Sequence, residues 1–328
     1  MKRNFFEAIA SSKEISASSR VYRVNKFTDN IFSGKMPKKF QQMFNSASGN
    51  ELNDKACSIY SSSMLAYNFF HWVKDSTPLI WDNTKYTRVF FEVKMSTIKH
   101  SPAPANMDIV LISEDKIHMI ESKFTEYFAY GRHDMKKLSE GYFKPDRFHF
   151  RNDQFLQTIQ KWKKNAAEQD KENHYYDGIK QQICHLTAIL NLLTQPDGRI
   201  GRIANAERFL KRNNNAEELA KLFEGKDILF TNLIFDPSED SFEEEFKAYD
   251  NYKELSKTFA EDLQLCNMTP NIRTMAYSEL WEQMQNNQMP VDLKHYLEDR
   301  YMRWSNIKRA STENSCGTAC ACCHSTNR

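Results

Sequence analysis

Glycine is scarce in this chain, with nine glycines spread over 328 residues. None belongs to a G-x-G-x-x-G or G-x-x-x-x-G-K-[ST] pattern, the two kinds of loop whose backbone N–H groups cradle nucleotide phosphates. The stretch GRIG at 198–201 is the closest approach. We therefore do not expect a cradle for a mononucleotide or a dinucleotide.

Long apolar runs are also lacking. No stretch approaches the roughly 20 uninterrupted apolar residues that a membrane-spanning helix requires. The chain starts with MKRNFFEAIASSKE, which is basic and then briefly apolar, but Glu7 interrupts it well short of a secretory signal. We expect a cytoplasmic protein without a membrane partner.

Signatures of nucleophilic catalysis are missing as well. No Ser–His–Asp set or Cys–His dyad has a recognisable local pattern, which argues against a small-molecule hydrolase. Three of the seven cysteines, Cys57, Cys184 and Cys266, stand among apolar neighbours and are typical of reduced core residues. The other four lie with a histidine in the tail CGTACACCH (316–324). We expect a disordered end there, with zinc binding as the alternative.

Charge is balanced overall, at +2, but is unevenly distributed. Residues 1–39 carry nine Lys/Arg and three Asp/Glu, residues 131–164 carry nine and four, and residues 215–262 carry five and fourteen. Aromatic residues are interleaved with the cations of 131–164. Such a segment suits a phosphate backbone and exposed bases, whereas a solvated helical face is the alternative interpretation.

Hydrophobic periodicity predicts an α/β protein. Helices are expected near 36–46, 61–73, 153–169, 178–194 and 240–262, strands at 88–95, 107–112, 117–124 and 227–236, and then a strand with a helix over 272–284 and a last helix over 291–304.

The segment MDIVLISEDKIHMIESKF (107–124) predicts a β-hairpin with ionisable residues in unusual places. If Ile112 faces Ile117 across the turn, the register sets Asp108 opposite Glu121. Lys123 lies two residues further and shares the face of Glu121. Two carboxylates facing each other in a sheet repel, so something should compensate that cost.

A divalent cation between the carboxylates would reverse the sign of that interaction. Mg²⁺ typically takes one or two carboxylates, several waters and substrate phosphate oxygens. Lys123 beside the ion could orient or deprotonate a water, or stabilise negative charge on phosphorus. The three residues therefore predict a site for phosphodiester hydrolysis.

Asp108 followed after twelve residues by Glu121-Ser122-Lys123 on the next strand resembles the PD-(D/E)XK nuclease superfamily. NMDIVLI, IESKFTEYF and the preceding SSSMLAYNFF resemble one bacterial branch of it, and Met107 stands where the motif often has proline. The resemblance covers roughly residues 50–195. It implies a restriction-endonuclease-like fold, a mixed central β-sheet flanked by helices, here with an additional helical C-terminal region.

The resemblance also implies an activity, a cofactor and partners. It implies a metal-dependent DNA endonuclease in restriction, defence or DNA processing that uses Mg²⁺, or Mn²⁺ in its place, on double-stranded DNA. Many relatives act as homodimers, which this chain neither requires nor excludes. The alternative is a catalytically silent nucleic-acid-binding or scaffold protein on the same fold.

Two further residues join the predicted site. Gln182 lies inside the apolar arc of the helix GIKQQICHLTAILNLL, and similar nucleases often hold a helical glutamine near the metal, so we assign it there. A satisfied core amide is the alternative. Glu51 stands where similar enzymes often carry an acid that binds metal through water, and a solvated helix-start glutamate is its alternative. Resemblance alone singles out Glu126 and Tyr127.

A rival pattern occurs at Asp82 with Glu92-Val93-Lys94. Asp82 opens the turn-like DNTK and cannot face Glu92 across a short hairpin. Glu92 is either an accessory carboxylate from a neighbouring strand or an edge-strand glutamate paired with Arg88 or Lys94. We divide the chain into a basic, helical extension (1–50), the nuclease-like domain with helical additions (51–305) and the cysteine-containing tail (306–328).

Overall fold

The computed structural model describes most of the chain, and the description below concerns those residues: 5–11, 22–46, 52, 55–95, 97–99, 101, 104–128, 134–148, 150–169, 178–193, 225–264 and 271–307. Glu51, Cys266 and the predicted cysteine-containing tail beyond 307 lie outside them. No helix among these residues is long and apolar enough to cross a bilayer.

Helices of the described part surround a central sheet. They are α1 (Phe5–Ser11), α2 (Lys38–Ser46), α3 (Ser62–Phe70), α4 (Asp153–Gln169), α5 (Ile179–Leu193), α6 (Glu243–Gln264), α7 (Tyr277–Met284) and α8 (Val291–Arg300). Helix α3 begins as expected from a serine cap, because the Ser61 side chain accepts a hydrogen bond from the Met64 N–H at 3.4 Å. All of the predicted helices are found here within a few residues of their expected bounds.

Seven strands form two sheets. They are β1 (Leu79–Trp81), β2 (Thr84–Tyr86), β3 (Arg88–Met95), β4 (Ala105–Ile112), β5 (Lys116–Lys123), β6 (Asp227–Ile234) and β7 (Asn271–Ala276). Strands β1 and β2 pair as a small antiparallel hairpin, and the other five form a mixed sheet in the order β3-β4-β5-β6-β7. β3, β4 and β5 are antiparallel, whereas β5, β6 and β7 are parallel. The predicted α/β class is confirmed at this level.

The predicted hairpin is confirmed in its register, with Ile112 opposite Ile117. The ladder between β4 and β5 stops at the Ile109–Ile120 pair, although both strands continue past it. The next position along would join Asp108 to Glu121. The sheet therefore opens between β4 and β5 at the level of the predicted site.

The side-chain alternation of strands β3 and β4 is interrupted at this same level, so that residues two positions apart across it face opposite sides of the sheet. Glu92 adopts a left-handed backbone with φ of 51°, which is uncommon for a residue other than glycine. Before it, Phe91 packs in the core on one face of the sheet, and after it Val93 packs on the other. Their partners Ile109 and Met107 divide in the same way.

Each face of the five-stranded sheet has its own hydrophobic core. One core joins the sheet to helices α1, α2, α3, α7 and α8, and includes Phe5 and Phe44 from the segment predicted as an extension. The other joins it to α4, α5 and α6, through residues such as Ile183 and Phe259. The opening between β4 and β5 therefore lies between two packed cores, and these cores hold the backbone of both strands in place.

Candidate functional site

The ends of β4 and β5 bring the three predicted catalytic side chains into one cleft. Asp108, Glu121 and Lys123 all line it, together with Gln181 and His185 from α5. The cleft has a volume of about 1330 Å³. Alternation along β5 points Glu121 and Lys123 towards α5, as their spacing predicted.

Lys123 is fixed by two acceptors at the floor of the cleft. Its Nζ pairs with Glu121 Oε1 and donates a hydrogen bond to Gln181 Oε1 at 2.7 Å. Lys123 and Glu121 are both buried, with side chains 4% and 2% exposed. A buried ammonium that is held by a carboxylate and an amide has a defined direction, which a surface lysine lacks.

Asp108 takes the place of a backbone partner in the opened ladder. Its Oδ2 accepts a hydrogen bond from the Ser122 N–H at 2.8 Å, which satisfies a donor that β4 no longer reaches. Burial and then the negative charge of Glu121 raise the pKa of the Asp108 carboxyl well above its usual range. Asp108 nevertheless stays half-buried and open to the cleft.

Glu121 is the most enclosed acid of the site. Burial raises the pKa of its carboxyl, and the Lys123 ammonium opposes that rise. Its Oε1 contacts Lys123, while Oε2 is a buried atom without a hydrogen-bond partner. An unsatisfied buried carboxylate oxygen is costly, so it indicates a ligand position.

His185 also lines the cleft, although no pattern of known chemistry in the sequence singles it out. Its Nδ1 lies 3.2 Å from Glu121 Oε2, and its Nε2 lies 3.0 Å from the Asn106 carbonyl oxygen. Burial lowers the pKa of the imidazole to about 4. The one signal in the sequence is spacing, because His185 follows Gln181 by four residues and so shares its face of α5.

Gln182 does not reach the carboxylates, so its assignment to the site is wrong. Its side chain bonds Ser256, with Nε2 3.1 Å from Oγ, on the side of β6 and α6. The position of Gln182 in the apolar arc of the helix correctly predicted that its side chain points inwards. Its polar partners form an uncharged group, the neutral cluster, made of Ser256, Asn232 and Thr274. The glutamine that contacts the site is its neighbour Gln181, one residue earlier and rotated by about 100°.

Glu92 lies at the edge of the same cleft. Ser63 Oγ donates a hydrogen bond to Glu92 Oε1 at 3.3 Å, so Ser63 is a partner of this acid. The left-handed φ of Glu92 is what turns its side chain out of the regular alternation of β3. Glu92 is therefore a buried carboxylate that lines the cleft.

The remaining predicted positions are separate from the floor. Asp82 pairs with Arg273, as expected of a residue outside the site. Glu126 accepts hydrogen bonds from the N–H groups of Phe124 and Thr125 at 2.8 and 3.0 Å, and so terminates β5. Glu51 lies outside the described residues.

Cations line the cleft around this acidic floor. Besides the buried Lys123, the lining cations are Arg23, Lys55, Lys99, Lys137, Lys144, Arg147 and Lys180, all exposed or half-buried. Three of them come from the basic segment predicted at 131–164. Its aromatic residues behave differently, since Tyr142, Phe148, Phe155 and Trp162 are buried in the core. The expectation that these four stack on exposed bases is wrong.

Metal coordination was tested against the groups present. Within the described ranges, no three His, Cys, Asp or Glu side chains are arranged as a ready-made metal cluster. Two carboxylates, one with an unpartnered oxygen, nevertheless fit the sparse protein ligation that Mg²⁺ accepts. Comparisons with family models, with curated proteins and with solved structures found no match to this chain.

Proposed function

We propose that this chain is a metal-dependent nuclease that hydrolyses phosphodiester bonds in DNA on a restriction-endonuclease-like fold. The observation that carries the proposal is the convergence of Asp108, Glu121 and Lys123 at the floor of one cation-lined cleft. The hydrogen bond from Ser122 N–H to Asp108 accounts for one of the three side chains, and it gives no reason for a second acid and a lysine to lie beside it. Their chemistry suits a bound cation and a phosphate.

Asp108 and Glu121 would hold Mg²⁺ or Mn²⁺. When bound, the ion supplies charge neutralisation and lowers the pKa of a coordinated water. The half-buried Asp108 and the unpartnered Glu121 Oε2 both fit that role. Burial and, after it, repulsion from Glu121 raise the pKa of Asp108, and a bound cation would relieve the repulsion.

Lys123 would act on the reacting phosphate or on the attacking water. Gln181 and Glu121 hold its Nζ at the floor, so the ammonium can stabilise negative charge that develops on phosphorus. As an ammonium it can also donate a proton to the departing oxygen, and once it has lost that proton the neutral amine can take one from the attacking water. Its fixed position is what makes either role effective.

The cations around the floor would bind the phosphate backbone. The cleft is lined by seven exposed or half-buried Lys/Arg side chains and by four acids. The cations would bind the phosphates of a nucleic acid and so hold its backbone over the buried floor. Double-stranded DNA, a cytoplasmic location and a role in defence or DNA processing belong to this proposal. So does a homodimer, in which each copy would cut one strand.

Supercoiled plasmid tests the proposal directly. We expect wild type to nick or linearise it with Mg²⁺ or Mn²⁺ and not with EDTA. Lys123→Ala should still retard DNA on a gel but cut at least about a hundredfold more slowly. Gln182→Ala should cut like wild type, because Gln182 bonds Ser256 and does not contact the three residues at the floor of the cleft. DNA binding without metal-dependent cutting in all three proteins would instead select the catalytically silent scaffold.

A further inference from the structure

Two buried acceptor atoms face each other beside the floor of the cleft. His185 Nδ1 and Glu121 Oε2 are 3.2 Å apart, and neither forms a hydrogen bond with any described group. Their side chains are 3% and 2% exposed, so bulk water has little access to them. Buried polar atoms are almost always satisfied, and a neighbouring pair left unsatisfied indicates a missing partner.

The other nitrogen of the ring defines what that partner must be. Nε2 lies 3.0 Å from the Asn106 carbonyl oxygen, and a carbonyl only accepts, so this contact is a hydrogen bond in the tautomer that carries its proton on Nε2. A neutral imidazole has a single N–H. Its Nδ1 is then a bare lone pair directed at a carboxylate lone pair, and a positive species between them removes the repulsion.

This arrangement is the one that proteins use to hold a histidine on a metal. A ligating imidazole donates a hydrogen bond from the N–H of its second ring nitrogen to a carboxylate or a backbone carbonyl. That hydrogen bond fixes the tautomer and the orientation of the ring. Neighbouring ligands at right angles on an octahedral ion, with bonds of roughly 2.1 Å, stand about 3.0 Å apart. The observed separation of 3.2 Å is close to that spacing.

We infer that His185 Nδ1 and Glu121 Oε2 bind the divalent ion as a neighbouring nitrogen–oxygen pair beside Asp108, and that the nitrogen ligand shifts the preference of the site from Mg²⁺ towards transition metals, for which Mn²⁺ is the probe. The inference rests on the proposed metal-dependent function and adds the identity of the metal. Imidazole nitrogen suits transition ions, whereas Mg²⁺ prefers an all-oxygen shell.

Electron paramagnetic resonance of Mn²⁺ added to the full chain tests this without relying on activity. Wild type should show one bound Mn²⁺ whose electron-spin-echo modulation contains the ¹⁴N coupling of a directly ligated imidazole. His185→Ala should lose that coupling and bind Mn²⁺ at least about tenfold more weakly. Gln182→Ala, on the same helix but outside the cleft, should keep both properties.

His185→Gln guards against a variant that merely misfolds. It offers an oxygen in place of the nitrogen, so we expect a folded protein, no ¹⁴N coupling, and a ratio of Mn²⁺ to Mg²⁺ affinity at least about tenfold lower than in wild type. Circular dichroism checks the fold of each variant.

The outcomes separate this inference from the proposed function. Mn²⁺ that binds to wild type, depends on Glu121 and shows no ¹⁴N coupling would overturn the role of His185 and leave the nuclease proposal standing. An unchanged metal preference in His185→Gln would do the same. If wild type binds no Mn²⁺ at all, both the metal site and the role of His185 are wrong.

Discussion

Two polar clusters lie side by side in the same sheet, and they differ in charge. The site between β4 and β5 holds Asp108, Glu121, Lys123 and His185. One strand further, Asn232 pairs in register with Glu121 and begins a neutral cluster. That cluster continues through Ser256, Thr274 and Gln182.

The neutral cluster is almost self-sufficient. Asn232 donates to Ser256 at 2.8 Å and to Tyr252 at 3.1 Å, and Ser256 lies 2.9 Å from Thr274. Its one buried atom without a partner is Asn232 Oδ1. The charged cluster leaves two facing acceptors unsatisfied and keeps an acid whose pKa is strongly raised. Polar groups that serve the fold satisfy one another, whereas those that await a ligand stay in mutual conflict.

Neutralising the charged cluster should give the largest effect. We expect Asp108→Asn to cut plasmid two to four orders of magnitude more slowly, because one metal-binding carboxylate is lost. Its melting temperature should stay level or rise, because the amide still accepts from Ser122 N–H and no longer repels Glu121. Nicking rates and thermal unfolding at pH 8 measure both. A marked fall in stability together with activity would mean that Asp108 is structural.

The reverse exchange should break the neutral cluster. Asn232→Asp puts an unpaired charge beside Glu121 in a buried position, and we expect a loss of about 3 kcal/mol or more in the free energy of unfolding. Urea denaturation at pH 8 measures it, and the loss should shrink at pH 5, where the new acid can be protonated. Equal stability at both pH values would show that the two clusters tolerate charge alike.

A third buried acid outside both clusters should make stability depend on pH. Burial raises the pKa of Asp236 to about 7. Between about pH 4 and 7 the folded chain keeps a proton that the unfolded chain has released, so stability is lost as pH rises through this window. We expect a decline of about 2–3 kcal/mol from pH 5 to 7 in wild type relative to Asp236→Asn, measured by denaturation. Parallel pH profiles for the two proteins would contradict this.

Adjacent glutamines offer the finest comparison. We expect Gln182→Ala to lose about 1–2 kcal/mol of stability, because its hydrogen bond to Ser256 is buried, and to keep its activity. Gln181→Ala should keep its stability and cut several-fold more slowly, because Lys123 loses one of the acceptors that hold it. Denaturation and plasmid nicking assays on the two variants measure these effects. A loss of stability in Gln181→Ala together with a loss of activity in Gln182→Ala would contradict the assignment.

Local patterns in the sequence predicted much of this fold. Alternation over 107–124 and the short turn sufficed for the hairpin and its register, because a one-residue slip would turn Ile109 and Ile120 out of the core. The small β1–β2 hairpin was missed, since three-residue strands carry too little alternation. Helix α1 was missed because seven residues are too few for a clear period.

The site was only partly predictable, because its decisive contacts join distant segments. A helical wheel aims Gln182 inward without naming its target, and Gln181 and His185 face a strand some sixty residues earlier. A lone histidine among apolar residues is usually a core residue, so the four-residue spacing from Gln181 was too weak a signal to select His185. The aromatic residues of 131–164 show the same ambiguity, since burial and base stacking favour the same side chains.

The left-handed residue in β3 has a consequence for how the two cores are connected. Since the alternation changes phase at Glu92, the two halves of this one strand serve opposite layers of the molecule. Sliding β3 along β4 by a single step would misplace apolar groups above and below the sheet at once. The left-handed residue thus fixes the register of β3 through the packing on both faces of the sheet. It lies beside the acids whose spacing any chemistry in the cleft would depend on.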